Sequence, residues 1–284
     1  MGEIVPAAKC THGPTMLWSE QDGPMQGKRE AAMDGHIEFA RQAKERGADT
    51  VVICDTRWVV NAGFHVKADS RFEGLFTSHE FPQFIRDMSC RYEGNPRPGD
   101  AIAKAATEKG VFTFCHHLDS LDLEYGTPVP IRFMSRAHAM KVASIAACCT
   151  VRDHQESRVD GEAIRVAVEA SESNVLLIAS GSLSREIRAN KDYADNHGTF
   201  TISPQFHRQV DLHGLETWKR GEHAAFLKML PENARCGYGE GSMHDTAMPC
   251  GALDWDEYDA CCEVVTGYFP SSGTGPTNEI FPVE

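Results

Sequence analysis

The chain has 284 residues and is 41% hydrophobic, which suits one or two packed domains and excludes a disordered protein. Its formal net charge of −13 argues against a nucleic-acid footprint; the charge reads as solubility, not as a lure for a cationic partner. No apolar run is long enough to span a bilayer, and the first residues lack both a secretory leader and a myristoylation signal, so a cytoplasmic protein without membrane contact is expected.

In chain order, apolar spacing predicts a helix over Lys28–Arg46, stopped by the glycine of "ERGAD". A buried strand follows at Thr50–Cys54, within "VVICDTRW", and stops at the polar residues Asp55, Thr56 and Arg57. "RYEGNPRPGD" (Arg91–Asp100) is too rich in Gly and Pro for regular structure and reads as a loop over a pocket. A helix over Gly99–Lys109 leads into a strand at Val111–Cys115. A buried strand at Val142–Val151, a helix at Gly161–Ala170 and a strand at Val175–Ala179 come next. Helices are expected at Gln205–Lys219 and His223–Met229, and a late strand at Cys261–Phe269. The ten cysteines contain no CxxC pair, and Cys148–Cys149 and Cys261–Cys262 read as small buried hydrophobes. Helices alternating with apolar strands imply an α/β fold: a single domain over residues 1–284, with a mixed central sheet covered by helices on both faces.

Five places put ionisable residues where a strand ends or a glycine turn begins. They are His12 in "CTHGPT", Arg57 in "CDTRW", His116 and His117 in "FCHHLDS", Arg185 in "ASGSLSREI", and Glu240 in "GYGEGSMHD". Strand ends in an open α/β sheet converge on one crevice. Two histidines and a carboxylate form the facial triad of non-haem Fe(II) sites, and His12 and Glu240 supply two of the three. The third is missing from the obvious places. Taken singly, each residue has a bland reading as a hydrogen-bonded histidine, a surface arginine or a turn glutamate.

Several longer motifs occur together: "AAKCTHGPTM", "FEGLFTSHEFPQFIRDM", "YEGNP", "LEYGTPVPIRFM", "ASGSLS", "YGEGSMHDTAM" and "SSGTG". In content and order they resemble the class III extradiol ring-cleaving dioxygenases (protocatechuate 4,5-dioxygenase beta-subunit-like), nearest the 3,4-dihydroxyphenylacetate 2,3-dioxygenase branch. The resemblance runs nearly end to end. It implies a twisted mixed sheet, usually an oligomer, and an Fe(II) ion held by two histidines and a glutamate. Carried over, the first iron histidine is His12 and the glutamate is Glu240. A pocket histidine falls on His116, with His117 beside it, and His244 in "MHD" also matches. The second iron histidine falls on Arg57, and the acid/base histidine on Arg185. A guanidinium has no lone pair to give a metal and does not cycle a proton near neutral pH. Arg57 is therefore expected to reach into the metal position and pair with Glu240.

Three readings follow. In the first, the chain binds no cofactor of its own and is the non-catalytic subunit of a heteromeric ring-cleaving dioxygenase, as in aminophenol dioxygenases; the Fe(II) belongs to a homologous catalytic partner. In the second, it is an active catechol- or aminophenol-type enzyme whose metal shell is completed by His65 or His244. In the third, it is a metal-free binding protein, with both arginines and His116 holding an aromatic carboxylate.

Overall fold

The computed structural model describes residues 1–118, 120–148, 152–186, 205–269, 271 and 273–283. In chain order the elements are β1 (Ile4–Cys10), α1 (Thr15–Ser19), α2 (Glu30–Glu45), β2 (Thr50–Val59), β3 (Phe64–Lys67), β4 (Arg71–Phe76), β5 (Met88–Glu93), α3 (Pro96–Glu108), β6 (Thr113–His116), α4 (Pro128–Met134), β7 (Lys141–Cys148), α5 (His154–Glu169), β8 (Val175–Ser180), α6 (Gln205–Lys219), α7 (His223–Cys236), α8 (His244–Ala252), β9 (Glu263–Thr266) and β10 (Asn278–Phe281). Among the described residues, eight strands form one sheet in the order β6-β3-β7-β2-β8-β1-β10-β9, and β4 and β5 make a separate antiparallel ribbon. The central strands β7, β2, β8 and β1 are parallel, whereas β3 and β10 run antiparallel to their central neighbours.

Strand alternation explains why helices cover both faces. Val51 and Ile53 point to one side, with Phe39, Ala40 and Ala43 of α2 and Ile131 and Met134 of α4. Val52 and Cys54 point to the other, with Ile102 of α3, Ile164 and Val168 of α5 and Met248 of α8. A sheet buried on both faces reads as a continuous apolar run. An ionic pair lies within this interior. Lys9 of β1 bonds Asp245 of α8, and its Nζ is 3.0 Å from the Thr246 hydroxyl. All three are buried, so α8 is fixed to the sheet by a pair whose rupture would strand a charge.

The sequence reading needs correction in several places. "RYEGNPRPGD" is not a loop: β5 runs into it and α3 starts at Pro96. Prolines 96 and 98 sit in the first helical turn, where a missing N–H costs nothing. Gly99 lies so close to β3 and the residue after it that a Cβ would come within 2.2 Å of Ala68. The α5 helix begins at His154 rather than Gly161, because Asp153 and Glu156 form a capping box. Strand β6 is displaced to Thr113–His116, which puts His116 inside the strand. The expected strand end at Val151, and Cys149, lie outside the described residues.

Candidate active site

The three adjacent parallel strands β1, β8 and β2 run in register, with Cys10, Ser180 and Asp55 paired across the sheet. Strands β1 and β8 end at this row, whereas β2 does not stop at Asp55 as the sequence suggested but continues to Val59, carrying Arg57 within it. Two residues beyond that row lie His12, Ser182 and Arg57, and Arg185 follows shortly. The sequence thus delivers four polar groups to the carboxyl end of the sheet, where α/β folds carry their chemistry. Gly126 lets its turn pass close to β2, since a Cβ there would meet Asp55 Oδ1 at 2.0 Å. Asp55 accepts hydrogen bonds from the Arg57 N–H at 2.7 Å and the Thr127 hydroxyl at 2.7 Å, which holds this part of β2 in place.

Glu240 enters from a distant segment. It opens a tight turn, Glu240–Met243, in which Gly241, Ser242 and Met243 all have left-handed backbones. Gly241 presses on Thr56, where a Cβ would come within 2.7 Å of the methyl. For Ser242 and Met243 this conformation costs about 1 kcal/mol or more each, a cost met by turning Glu240 inward.

The buried Glu240 carboxylate gathers the cluster. Its Oε1 is 3.3 Å from His12 Nε2, 3.3 Å from Arg57 Nη1 and 3.0 Å from Arg185 Nη1. Its Oε2 accepts the Ser182 N–H at 2.7 Å. Burial alone would raise this carboxyl, but His12, Arg57 and the Ser182 N–H outweigh it and hold it at about 2. The Ser180 hydroxyl donates to the Gly126 carbonyl at 2.6 Å, so it accepts Nδ1–H of His12 at 3.0 Å. That leaves Nε2 as the nitrogen turned toward Glu240.

A second carboxylate closes the cluster on its outer side. Glu80 accepts from Arg185 Nη2 at 3.0 Å, from the Tyr125 hydroxyl at 3.1 Å and from Arg57 Nη2. The Arg57 guanidinium also stacks over Tyr125, with 4.9 Å to the ring centroid. Burial works against the Arg57 charge, but Glu240, Tyr125, Glu80 and Asp55 together raise its pKa.

The remaining candidate residues lie elsewhere. His116 pairs with His65 (Nε2 to Nδ1, 2.7 Å) and packs beside Trp58 and Phe114. His117 is bonded to Asp100 at 2.6 Å and sits near Cys115. The convergence rule fails for β6 because this edge strand runs with β3, against the central strands. His244 binds the Ser157 hydroxyl at 2.6 Å and lies near His154 and Phe64. Burial and neighbouring His154 lower its pKa to about 4. Among the described residues, no hydrogen bond or ion pair ties His65, His116, His117 or His244 to Glu240 or either arginine. Sequence reasoning missed Glu80 and Tyr125 as site residues. Both lie inside motifs quoted for the resemblance, in "TSHEFPQF" and "LEYGTP", where nothing but three-dimensional proximity distinguishes them from their neighbours.

The fold and cluster define an α/β protein with one charged centre at the carboxyl ends of parallel strands. The family model "Catalytic LigB subunit of aromatic ring-opening dioxygenase" matches residues 6–282, and the chain belongs to that family of extradiol dioxygenases of aromatic ring cleavage. It is 45% identical over 259 residues to a 3,4-dihydroxyphenylacetate 2,3-dioxygenase of Escherichia coli, covering 91% of this chain and 93% of that one. An uncharacterized protein of Escherichia coli K12, solved by crystallography, shares the fold at a TM-score of 0.62 and 14% identity, covering 98% of this chain and 99% of that one.

Extradiol enzymes of this family are generally Fe(II) proteins. The donor set here does not fit that ion. A triad centred on His12 and Glu240 needs a third lone pair, and the residue in reach is Arg57, which has none. Glu240 Oε1, the oxygen nearest His12 Nε2, already receives both guanidinium groups. A dication placed there would face two fixed positive charges at close range, a repulsion of several kcal/mol at an effective dielectric of ~20.

Proposed function

We propose that this chain does not open rings by itself, and that it serves as the companion subunit of a homologous catalytic chain in a heteromeric aromatic ring-opening dioxygenase. The supporting observation is that both arginines at the expected histidine positions donate to one oxygen of Glu240. In this reading they take the place of the metal with charge-matched hydrogen bonds. The surroundings of the cluster remain ordered down to Asp55, Thr127, Ser180 and the turn at Gly241. A chain drifting without a role would lose such packing along with its ligands. In this reading the chain holds no Fe(II), and the metal and the reaction belong to the partner.

The test compares the wild type with Arg57→His, Arg185→His and the double variant, each loaded with Fe(II) under anaerobic conditions. Iron content and ring-opened product from a catechol are measured. The wild type and Arg185→His are expected to hold no stoichiometric iron. Arg57→His regains metal, and the double variant regains metal with slow turnover, since the restored ligands lack tuned neighbours. One iron per wild-type chain with turnover at or above the double variant's would overturn the reading. Co-purification of a homologous chain, with activity only in the mixture, supports it.

A further inference from the structure

The inner and outer carboxylates of the cluster differ in one decisive respect. The Glu240 side chain is 5% exposed and held from every side, whereas that of Glu80 is 41% exposed. Glu80 comes from the irregular segment between β4 and β5, whose neck is closed by the Ser78 N–H donating to the Ile85 carbonyl at 3.0 Å. Its two oxygens nevertheless satisfy three donors at once. Oε1 takes Arg185 Nη2, and Oε2 takes Arg57 Nη2 and the Tyr125 hydroxyl. These donors match both oxygens of one planar carboxylate.

We propose that Glu80 is an internal stand-in for a ligand: when it swings out, Arg57, Arg185 and Tyr125 form a binding site for the carboxylate of a small aromatic monoacid. This rests on reading the cluster as a metal-free site. Charge sets the sign of the ligand. With Glu80 withdrawn, two guanidinium groups and His12 surround the one carboxylate of Glu240, and the outward-facing donors of Arg57 and Arg185 are left for an anion. Shape sets the body attached to it. Tyr125 is buried, with His12 edge-on at 5.4 Å and Phe81 edge-on at 6.1 Å. Phe84 lies 5.8 Å from Phe81, and Trp18 lies 5.0 Å from Phe84. A strip of aromatic rings thus leads away from the two arginines along the side from which Glu80 enters. Glu80 competes with the ligand, so apparent affinity falls by the fraction of time the site is open.

The test is calorimetric titration with phenylacetate, in EDTA, of the full-length wild type, Glu80→Gln, Glu80→Ala and Arg185→Lys. Acetate and inorganic phosphate serve as comparison ligands, and thermal melting checks folding. Phenylacetate is expected to bind the wild type, and Glu80→Ala about tenfold more tightly if Glu80 fills the site nine-tenths of the time. Glu80→Gln should be intermediate. Acetate and phosphate bind more weakly, the first lacking a ring and the second lacking both a ring and a planar carboxylate. Arg185→Lys keeps the charge but loses the planar fork, and affinity drops while melting is retained. Equal affinity of the wild type and Glu80→Ala, or no phenylacetate binding by either, overturns the inference. Neither outcome touches the proposed subunit role, which is read from iron content and turnover.

Discussion

Two buried carboxylates show how differently one protein treats the same chemical group. Glu240, at the carboxyl ends of β1, β8 and β2, faces His12, Arg57, Arg185 and a backbone N–H, and is held at about 2. Asp160, in α5, receives one hydrogen bond, from the Thr113 hydroxyl at 3.0 Å. Its other oxygen has no hydrogen-bond partner among the described residues, and burial pushes it up to about 7. Both are removed from water, so both bear the desolvation penalty. The sign of the shift is decided by what the fold sets opposite the carboxylate. One site is built to stay charged, the other to stay protonated at mildly acidic pH.

The largest way to break this contrast is to make Glu240 resemble Asp160. Arg57→Ala combined with Arg185→Ala leaves a buried carboxylate with little compensation, and should cost roughly 3–5 kcal/mol in denaturant unfolding. Adding Glu240→Gln to that double variant should recover part of the loss by removing the orphaned charge. No recovery would mean that the arginines stabilise through packing rather than through Glu240.

The pH profile of stability should carry both signatures. Glu240 has a depressed folded pKa, so its contribution is fully present above its unfolded value and is lost as pH falls through about 2. That limb is worth roughly 3 kcal/mol. Asp160, Asp211 and Glu279 are each raised to about 7, chiefly by burial. Their contributions are present below the unfolded carboxyl range and are lost as pH rises through about 7. Stability should therefore fall from about pH 4 to about pH 7 as these groups ionise, and fall again below about pH 4 as Glu240 is protonated. Urea midpoints across this range check both limbs; a flat upper limb would contradict the burial argument.

Asp160→Asn isolates one group. Relative to its effect below about pH 4, it should stabilise by roughly 4 kcal/mol above about pH 7, flattening the upper limb. The smallest effect is expected at Glu80. Its partly exposed ion pairs are screened, so Glu80→Gln should shift unfolding by less than about 1 kcal/mol even though it alters ligand affinity. A shift of several kcal/mol would identify Glu80 as a structural member of the cluster instead of a displaceable one.

Much of this architecture was legible in the residues. Apolar runs marked the central strands because a sheet covered on both faces leaves little room for polar side chains along β2, β7 and β8. Helix α2 was visible from its spacing and its glycine stop. The candidate chemistry at His12, Arg57, Arg185 and Glu240 came from motif positions and from the rule that strand ends converge. That rule misled at His116 and His117, since strand direction cannot be read from a short apolar run. The reading of the residues also missed β1, β3, β4, β5, β10, α1, α4 and α8, most of them too short to show a period and the β4–β5 ribbon too mixed in polarity.

The sequence by itself determined which side chains were available: two arginines where lone-pair donors were expected, and a glutamate between glycines. Those identities rule out proton cycling by Arg185 and metal ligation by Arg57, because guanidinium chemistry is independent of context. Only the tertiary structure decided who meets whom. The shared register of β1, β8 and β2 aligns Cys10, Ser180 and Asp55, and the left-handed turn at Gly241 turns Glu240 toward the residues just beyond them. The segment between β4 and β5 brings Glu80 onto the same two guanidinium groups. Coulomb and hydrogen-bond energies act over a few ångströms, and residues far apart in the chain reach that range only when the sheet and its turns bring them together.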